Sequence, residues 1–203
     1  GLFLGWSLGA NDAANVFGTA VGTRMIRFKT AAIVCGIFVI LGAVISGAGT
    51  TETLGKLGAI NALPGAFAAC IAAGLAVYLM TKLGLPVSTT QAIVGAIVGW
   101  NIYTGSSTDI QILITIIGTW ILCPIIAGLI AMLLFTITKK ILRYNTMHIL
   151  RLDAYTRLAL LLAGAFGAYS LGANNIANVM GVFVPISPFT EINIMNIFYL
   201  SSA

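Results

Sequence analysis

The length of its uncharged apolar runs most constrains what this chain can fold into. Between Ile110 and Phe135 the sequence contains no charged side chain, and isoleucine and leucine dominate. About 20 consecutive apolar residues cross the hydrocarbon core of a bilayer as a helix. Only 7% of the 203 residues are charged, whereas soluble domains carry about 25%. A soluble fold would lack a wetted surface, so the sequence predicts an integral membrane protein.

The apolar runs also predict which secondary structure crosses the membrane. Lipid-spanning strands close into a barrel and alternate apolar with polar residues, and these runs do not alternate. We therefore predict an all-α, polytopic transmembrane protein of the cell membrane. The chain begins without methionine and ends within a new apolar stretch, so we expect a longer parent protein. The predicted spans are 1–23, 30–50, 64–81, 86–103, 110–138 and 156–184, with a seventh beginning near Ile192.

The basic residues indicate how these spans are oriented. Nine of the ten lysines and arginines fall on one side of the membrane if every span crosses. Cytoplasmic loops carry such an excess, so the net charge of +5 does not indicate nucleic-acid binding, and span 1 is expected to run inward. Pro86 leaves open a re-entrant span 4, which would break this parity. The nine residues are Arg24, Arg27, Lys29, Lys82, Lys139, Lys140, Arg143, Arg151 and Arg157.

One motif occurs twice. The stretch from Ser7 to Thr19 matches the stretch from Ser170 to Val182 at an offset of 163, with nine of thirteen positions identical. Because the copies lie in spans of opposite predicted direction, they indicate inverted-topology repeats, between which secondary transporters bind substrate near the membrane midplane. Broken or re-entrant helices at the motifs stay open. The predicted domains are a first transmembrane repeat, 1–138, a basic interfacial linker, 139–155, and the start of a truncated, inverted second repeat, 156–203.

The first copy of the motif carries the one acid that lies deep within a span. A charge there costs at least about 2.5 kcal/mol, so Asp12 needs a partner or a water-filled cavity. No lysine or arginine lies within the motif, so Na⁺ or a proton is the natural partner. Asn15 adjoins Asp12 at helical spacing and shares a face with Asn11. Asparagines that only join helices are the alternative.

A second polar cluster precedes span 4. Ser88 and Gln91 have the spacing of a capping box, and Pro86 favours a helix start just after it. A helix N-terminus with free N–H groups and the adjacent hydroxyls of Ser88, Thr89 and Thr90 suits an oxyanion. A cap without a ligand is the alternative. If both ligands bind, each makes the site more favourable for the other.

The segments GANDAANVFGTAVG, PVSTTQAIVGAIVG and GANNIANVMG, the last after a basic linker, resemble the inorganic phosphate transporter family of Na⁺- or H⁺-coupled phosphate permeases. The resemblance implies phosphate uptake driven by a cation gradient through alternating access. Two departures put the number and identity of the cations in doubt: position 175 is asparagine where the family usually has aspartate, and 37–42 lacks a glutamate. The candidate substrate residues are Asn11, Asn15, Ser88, Thr89, Thr90, Asn174 and Asn178, and the candidate cation residues are Asp12, Asn15 and Asn175.

The expected partners are inorganic phosphate, Na⁺ or H⁺, and membrane lipid, with no nucleic acid and no cofactor beyond coupling Na⁺. GxxxG spacings are compatible with a homodimer without establishing one. A sulfate or other oxyanion permease and a passive anion channel are the alternatives, whereas HExxH, GxSxG and P-loop motifs of enzymes and pumps are absent from the sequence.

Two further expectations concern particular positions. Cys35, Cys70 and Cys123 lie in apolar spans and are predicted to be buried. The offset of 163 places the counterpart of 88–90 near position 251. We therefore expect that the 203 residues alone do not transport.

Overall fold

The computed structural model describes residues 2–57, 63–85, 87–144 and 148–186, and every element in that part of the chain is helical. This confirms the all-α prediction. The seventh span predicted near Ile192 lies outside the described residues. The elements are α1 (Leu2–Gly22), α2 (Phe28–Lys56), α3 (Leu63–Lys82), α4 (Thr89–Thr104), α5 (Ile110–Tyr144), α6 (Ile149–Met180) and a 3-10 helix (Gly181–Ile186).

Three of these helices are long and apolar enough to cross a membrane. They contain the segments Phe28–Ala48, Leu63–Lys82 and Ile110–Arg143. Six crossing spans were predicted in the same region. The helices outside this set carry the polar motifs: α1 and α6 each contain one copy of the repeat, and α4, with 16 residues, begins at the hydroxyl cluster. The polar motifs therefore lie outside the three helices whose length and composition suit a membrane span.

The predicted linker, 139–155, is largely helical. The last turns of α5 run through it to Tyr144, and α6 begins at Ile149. His148 caps α6, its Nδ1 accepting a hydrogen bond from the Leu150 N–H at 3.3 Å. The basic residues of this region lie on two helix ends, and the division of the chain into repeats and a linker stays a prediction.

The first and last long helices run antiparallel to each other. The N-terminal part of α1 lies beside the C-terminal part of α6, and the order reverses towards the other end. This is the relative direction that the orientation of the two motif copies predicts. The pairs that lie side by side are Gly5 with Val179, Asp12 with Asn175, and Val16 with Gly167.

Helices α2 and α6 run parallel and touch through their backbones. A Cβ atom placed on Gly42 would collide with the Tyr169 carbonyl, and one placed on Gly172 would collide with the Val39 carbonyl. Small residues on both helices allow so close an approach. The Tyr169 hydroxyl also lies 2.6 Å from the Ser46 hydroxyl. The two glycine contacts and the hydrogen bond between Ser46 and Tyr169 together hold α6 against α2.

Helices α3 and α4 form a hairpin with a tight reversal. Gly84 has a φ of +68°, a left-handed conformation that glycine adopts without strain. Its N–H donates to the Thr81 carbonyl at 3.1 Å, and the Leu85 N–H donates to the Met80 carbonyl at 3.0 Å. These two bonds are the Schellman motif that ends a helix. The chain can therefore reverse within a few residues and begin α4.

The tip of the hairpin lies level with the middle of α1. Near the start of α1, Phe3 packs at Gly74 of α3. Half-way along α1, the Asn11 Nδ2 donates to the Val87 carbonyl at 3.2 Å. The two helices therefore run parallel, and the hairpin turns back beside the centre of α1.

Two buried clusters hold the helices together. One joins α1, α3 and α4 through residues such as Leu4, Ala66 and Ile93, and the other joins α1, α2 and α6 around Phe17 and Ala168. Helix α5 differs, because its apolar segment has no buried residue among those described. Cys35 and Cys70 are buried as predicted, but Cys123 on α5 is exposed, so that prediction was wrong.

Candidate functional site

The Asp12 carboxylate lies where α1 meets α6. It is 8% exposed and accepts one hydrogen bond on each oxygen. Asn11 Nδ2 donates to Oδ1 at 2.7 Å, and Asn175 Nδ2 donates to Oδ2 at 2.9 Å. No lysine or arginine pairs with it in the part of the chain that the structure describes. Two amides therefore hold the carboxylate in position without compensating its charge.

Asp12 and Asn175 occupy equivalent positions of the two motif copies. They are separated by 163 residues, the offset of the repeat. When two copies are related by a two-fold axis, equivalent positions contact each other only near that axis. The hydrogen bond between them is therefore the geometry that inverted repeats would require.

Asn178 connects the second motif to the start of α4. Its side chain is fully buried, and its Nδ2 lies 3.3 Å from Asn175 Oδ1, 3.2 Å from Thr90 Oγ1 and 3.4 Å from Thr89 Oγ1. Asn174 Nδ2 also reaches Thr90 Oγ1, at 3.5 Å. A continuous set of polar contacts therefore runs from the acid to the hairpin tip.

The Oδ1 atom of Asn178 is a buried acceptor with no hydrogen-bond partner among the described residues. An unsatisfied buried acceptor costs about 1–3 kcal/mol. This oxygen is therefore suited to accept a hydrogen bond from a ligand or to bind a cation. Asn175 connects Asn178 to the Asp12 carboxylate, whose charge is not compensated.

The α4 N-terminus has the predicted cap. Ser88 is extended, with φ −89° and ψ 116°, and its Oγ accepts a hydrogen bond from the Gln91 N–H at 3.4 Å. The first N–H groups of a helix have no partner within the helix. In α4 they belong to Thr89 and Thr90, beside the hydroxyls of the same residues. This end of the helix offers several donors in one place.

Asn15 is the one predicted site residue that is not drawn into this region. Its side chain is exposed, and no hydrogen bond to it is found within residues 2–57, 63–85, 87–144 and 148–186. The equivalent Asn178 is fully buried. The other candidates, Asn11, Asp12, Ser88, Thr89, Thr90, Asn174, Asn175 and Asn178, lie together at the junction of α1, α6 and the hairpin tip.

A cavity of about 490 Å³ adjoins the hydroxyl end of this network. Ser88, Thr90 and Asn174 line it, but Asp12 does not. Sequence reasoning missed the part of the lining on α5, although Gln111, Thr115 and Thr119 recur every four residues and mark one face of that helix. It also missed the Val87 carbonyl, since any residue supplies one. The remaining lining residues are Leu54, Gln91, Ile116, Thr119, Trp120, Cys123 and Ala177.

The described residues contain no group of three or more His, Cys, Asp or Glu side chains that could hold a metal ion. A transported cation at Asp12 would therefore rely on one carboxylate together with amide, hydroxyl and carbonyl oxygens. Such a mixed set suits a hard monovalent cation or a proton better than a tightly held transition metal.

Comparisons with known proteins agree on one family. A sequence model described as the phosphate transporter family matches residues 8–199. A predicted phosphate permease of Haemophilus influenzae is 36% identical over 154 residues, 70% of this chain and 36% of the relative. One from Chlamydia pneumoniae is 33% identical over 198 residues, 92% of this chain and 45% of the relative. The chain therefore spans less than half the length of these relatives.

A solved structure shares the fold. The sodium-dependent phosphate transporter superposes with a TM-score of 0.76 at 22% sequence identity, covering 98% of this chain and 70% of that chain. The likeness extends over all the described helices and places the six helices within a known membrane-protein architecture.

Proposed function

Because this chain belongs to the phosphate transporter family, we propose that it forms part of a secondary active transporter that imports inorganic phosphate. Uptake is coupled to a Na⁺ or H⁺ gradient by alternating access, in a multi-pass membrane protein. The observation that carries the proposal is the polar network from the Asp12 carboxylate through Asn175 and Asn178 to the Thr90 hydroxyl.

The anion is held at the hairpin tip. The unpaired N–H groups at the start of α4 and the hydroxyls of Ser88, Thr89 and Thr90 supply donors for its oxygens. The amides of Asn174 and Asn178 hold Thr90 in position. The helix N-terminus at Thr89 adds a partial positive charge that favours an anion there.

The cation is held at Asp12, with Asn175 as a further ligand. The predicted ligand Asn15 is exposed in this chain and joins the site only when the counterpart of 88–90 packs against it. A bound cation compensates the buried carboxylate, and it lies close enough to the anion for the two charges to attract. Each ligand then raises the affinity of the site for the other, which is the coupling that a symporter needs. Asn175 touches both Asp12 and Asn178 and connects the two ligands.

The same hydrogen bonds support a proposal for the architecture of the whole transporter. The motif copies in α1 and α6 belong to inverted repeats, and the α3–α4 hairpin is re-entrant, with its tip at the membrane midplane. The counterpart of 88–90, expected near position 251, approaches Asn15 as Thr89 and Thr90 approach Asn178. A homodimer is a further prediction, which crosslinking of the full-length protein in membranes tests.

Two other functions have less support from the structure of the site. A sulfate or other oxyanion permease would use the same hydroxyls and N–H groups, since these donors recognise any tetrahedral anion. A passive anion channel would not need the buried acid at the centre of the network. The contact between Asp12 and Asn175 therefore favours a coupled carrier.

The test is uptake of labelled phosphate by the full-length protein in proteoliposomes. A Na⁺ gradient and a pH gradient are imposed separately, with sulfate as competitor, and the variant Asp12→Asn runs beside wild type. Asp153→Asn is the matched control, because Asp153 is half-buried, lies outside the polar network and is paired with Arg157. We expect uptake with one gradient, little competition by sulfate, loss in Asp12→Asn and no change in the control.

Uptake that needs neither gradient, or that survives in Asp12→Asn, would contradict the coupled mechanism. Equal uptake of sulfate would replace phosphate with a broader substrate class.

A further inference from the structure

The connection between α1 and α2 places basic side chains at the edge of a membrane span. Helix α2 contains the apolar segment Phe28–Ala48, whose 21 residues match the hydrocarbon core of a bilayer, which about 20 helical residues cross. Phe28, at the start of this segment, is 72% exposed. Arg27 directly precedes it, and Arg24 and Lys29 lie close by in the chain. These charges therefore lie at the level of the lipid headgroups.

The basic side chains of this connection are available to an anion. Arg24, Arg27 and Lys29 are all exposed. No ion pair with any of them is found where the structure describes the chain, and Asp153 is paired with Arg157 instead, at 2.7 Å. Uncompensated basic residues next to a membrane span attract anionic lipids, and each further charge strengthens the attraction.

Contacts with α1 and α6 hold the connection in one shape. Arg157 Nη1 of α6 donates to the Met25 carbonyl at 2.7 Å, and the Ile26 N–H donates to the Ala20 carbonyl at 3.0 Å. Ile26 is also buried in the cluster around Phe17. A guanidinium has five N–H donors, and only two of those of Arg157 are used by Asp153 and Met25. Arg157 therefore adds a fourth basic group whose position beside the connection is fixed.

The backbone at Arg24 is strained. Its φ of +59° is left-handed, and it is the one non-glycine residue with a positive φ among those described. Glycine adopts this conformation readily, whereas a Cβ atom makes it unfavourable. Strained backbone of this kind clusters at ligand clamps and other functional positions. The chain therefore keeps an arginine side chain at a position where glycine would suit the fold better.

From these observations we infer that the α1–α2 connection, together with Arg157, binds the headgroup of an anionic phospholipid in the cytoplasmic leaflet. Arg24 and Arg27 donate charge-assisted hydrogen bonds to the headgroup phosphate, which the planar guanidinium group can bind in a bidentate manner. Phe28 lies against the acyl chains. The excess of basic residues assigns this end of the helices to the cytoplasmic side. The inference requires a chain embedded in a membrane and does not depend on which ion is transported.

The first test measures lipid binding by the full-length protein in detergent, by native mass spectrometry with phosphatidylglycerol or phosphatidylcholine. The probe variant is Arg24→Gln/Arg27→Gln/Lys29→Gln. The matched control removes the same charge from the exposed end of α5 and is Lys139→Gln/Lys140→Gln/Arg143→Gln. We expect wild type and control to prefer phosphatidylglycerol. In the probe variant the preference should fall about fivefold or more, because each basic residue near an anionic headgroup contributes roughly that factor.

Two results of this test would overturn the inference. Equal losses in the two triple variants would show a diffuse effect of surface charge instead of a binding site. Displacement of phosphatidylglycerol by inorganic phosphate would show that the connection binds the free anion. Neither measurement involves transport, so a failure of lipid binding leaves the proposed function in place, and a failure of phosphate uptake leaves the lipid site in place.

The second test compares Arg24→Gly with Arg24→Lys, because glycine removes both the charge and the backbone strain whereas lysine keeps both. Thermal unfolding of the full-length protein is measured in detergent with and without phosphatidylglycerol. We expect the glycine variant to unfold at the wild-type midpoint or above it without lipid, and to gain less from added phosphatidylglycerol. The lysine variant should respond to the lipid as wild type does. A glycine variant that gains as much as wild type, or that is less stable without lipid, would overturn the inference.

Discussion

The two copies of the repeated motif have nearly the same sequence and very different surroundings. In α6, Asn178 is fully buried and contacts the hydroxyls of Thr89 and Thr90. In α1, the equivalent Asn15 is exposed. The same residue type in the same helical context is therefore a packed, hydrogen-bonded group in one copy and an open one in the other. What differs is where the hairpin hydroxyls lie, because Thr89 and Thr90 contact Asn178, whereas the hairpin meets the first copy through the Val87 carbonyl at Asn11.

The copies also differ in charge. Asp12 of the first copy is paired with Asn175 of the second, so a carboxylate meets an amide where strict symmetry would bring two carboxylates together. Two acids at this distance could not both be ionised without a cation between them. The asparagine removes that repulsion and leaves one negative charge at the junction, so the two halves of the site are not interchangeable.

The largest effect is expected when Asp12 and Asn175 exchange their acid and amide groups. Asp12→Asn alone should reduce coupled phosphate uptake to background, because no acid is then left at the junction. The double variant Asp12→Asn/Asn175→Asp returns one acid to the equivalent position, and we expect partial recovery. Gradient-driven uptake in proteoliposomes measures both. A double variant as inactive as the single one would show that the copies have separate roles.

The next largest effect concerns the helix contact that supports the second copy. Gly172→Ala places a methyl group against the Val39 carbonyl, and overpacking of this kind costs about 1–3 kcal/mol or more. We expect a clear drop in the midpoint of thermal unfolding in detergent. Gly36→Ala on the neighbouring helix α2 is the control, since a Cβ there would meet open space. Equal midpoints for the two variants would argue against the close backbone contact.

Replacing Asn178 or Asn15 with alanine tests whether the two motif copies differ in the full-length protein. Asn178→Ala removes a fully buried amide and leaves Thr89 and Thr90 without its hydrogen bonds, so we expect a loss of about 1–3 kcal/mol. If a second hairpin reaches Asn15 in the full-length protein, Asn15→Ala should cost a similar amount there. Thermal unfolding of the full-length variants compares them. A cost within about 0.5 kcal/mol, typical of a surface position, would refute the second hairpin at Asn15.

The smallest effect is expected at the helix cap. Ser88→Ala removes the acceptor for the Gln91 N–H, which typically costs about 0.5–2 kcal/mol. Ser88→Asn keeps a capping oxygen and should be nearly neutral for stability. Phosphate uptake provides a second readout, since the asparagine lacks the hydroxyl proposed to bind the anion. Loss of stability in both variants would mean that Ser88 acts through other contacts.

Much of the fold follows from the sequence because its signals are local. The span predicted at 64–81 corresponds to α3, Leu63–Lys82, since a continuous apolar run ends at a lysine and a glycine. The start of α4 was predicted from Pro86, Ser88 and Gln91 for the same reason. The meeting of the two motifs at one site was implied by their repeat and by their opposite predicted directions.

The parts that were not predicted depend on contacts between distant segments. On helix α5 the four-residue spacing of Gln111, Thr115 and Thr119 marks a polar face, but only the packing of α5 beside α4 and α6 shows that Thr119 lines a cavity. Cys123 was predicted to be buried because it lies within an apolar span. In a membrane helix the apolar surroundings can be lipid, and the thiol is exposed. The different environments of Asn15 and Asn178 likewise depend on the hairpin, whose Thr89 and Thr90 hydroxyls contact Asn178.

The close backbone contact of α2 and α6, at Gly42 with Tyr169 and at Gly172 with Val39, has a mechanical consequence. Packed helices usually slide past one another by small shifts of the side chains between them. Here each helix presses its backbone against a carbonyl of the other, and no layer of side chains is left to yield. Helices α2 and α6 should therefore move together as one rigid unit. A reorientation of the site would then have to pivot at the borders of this pair, with α1 on one side and the hairpin tip on the other.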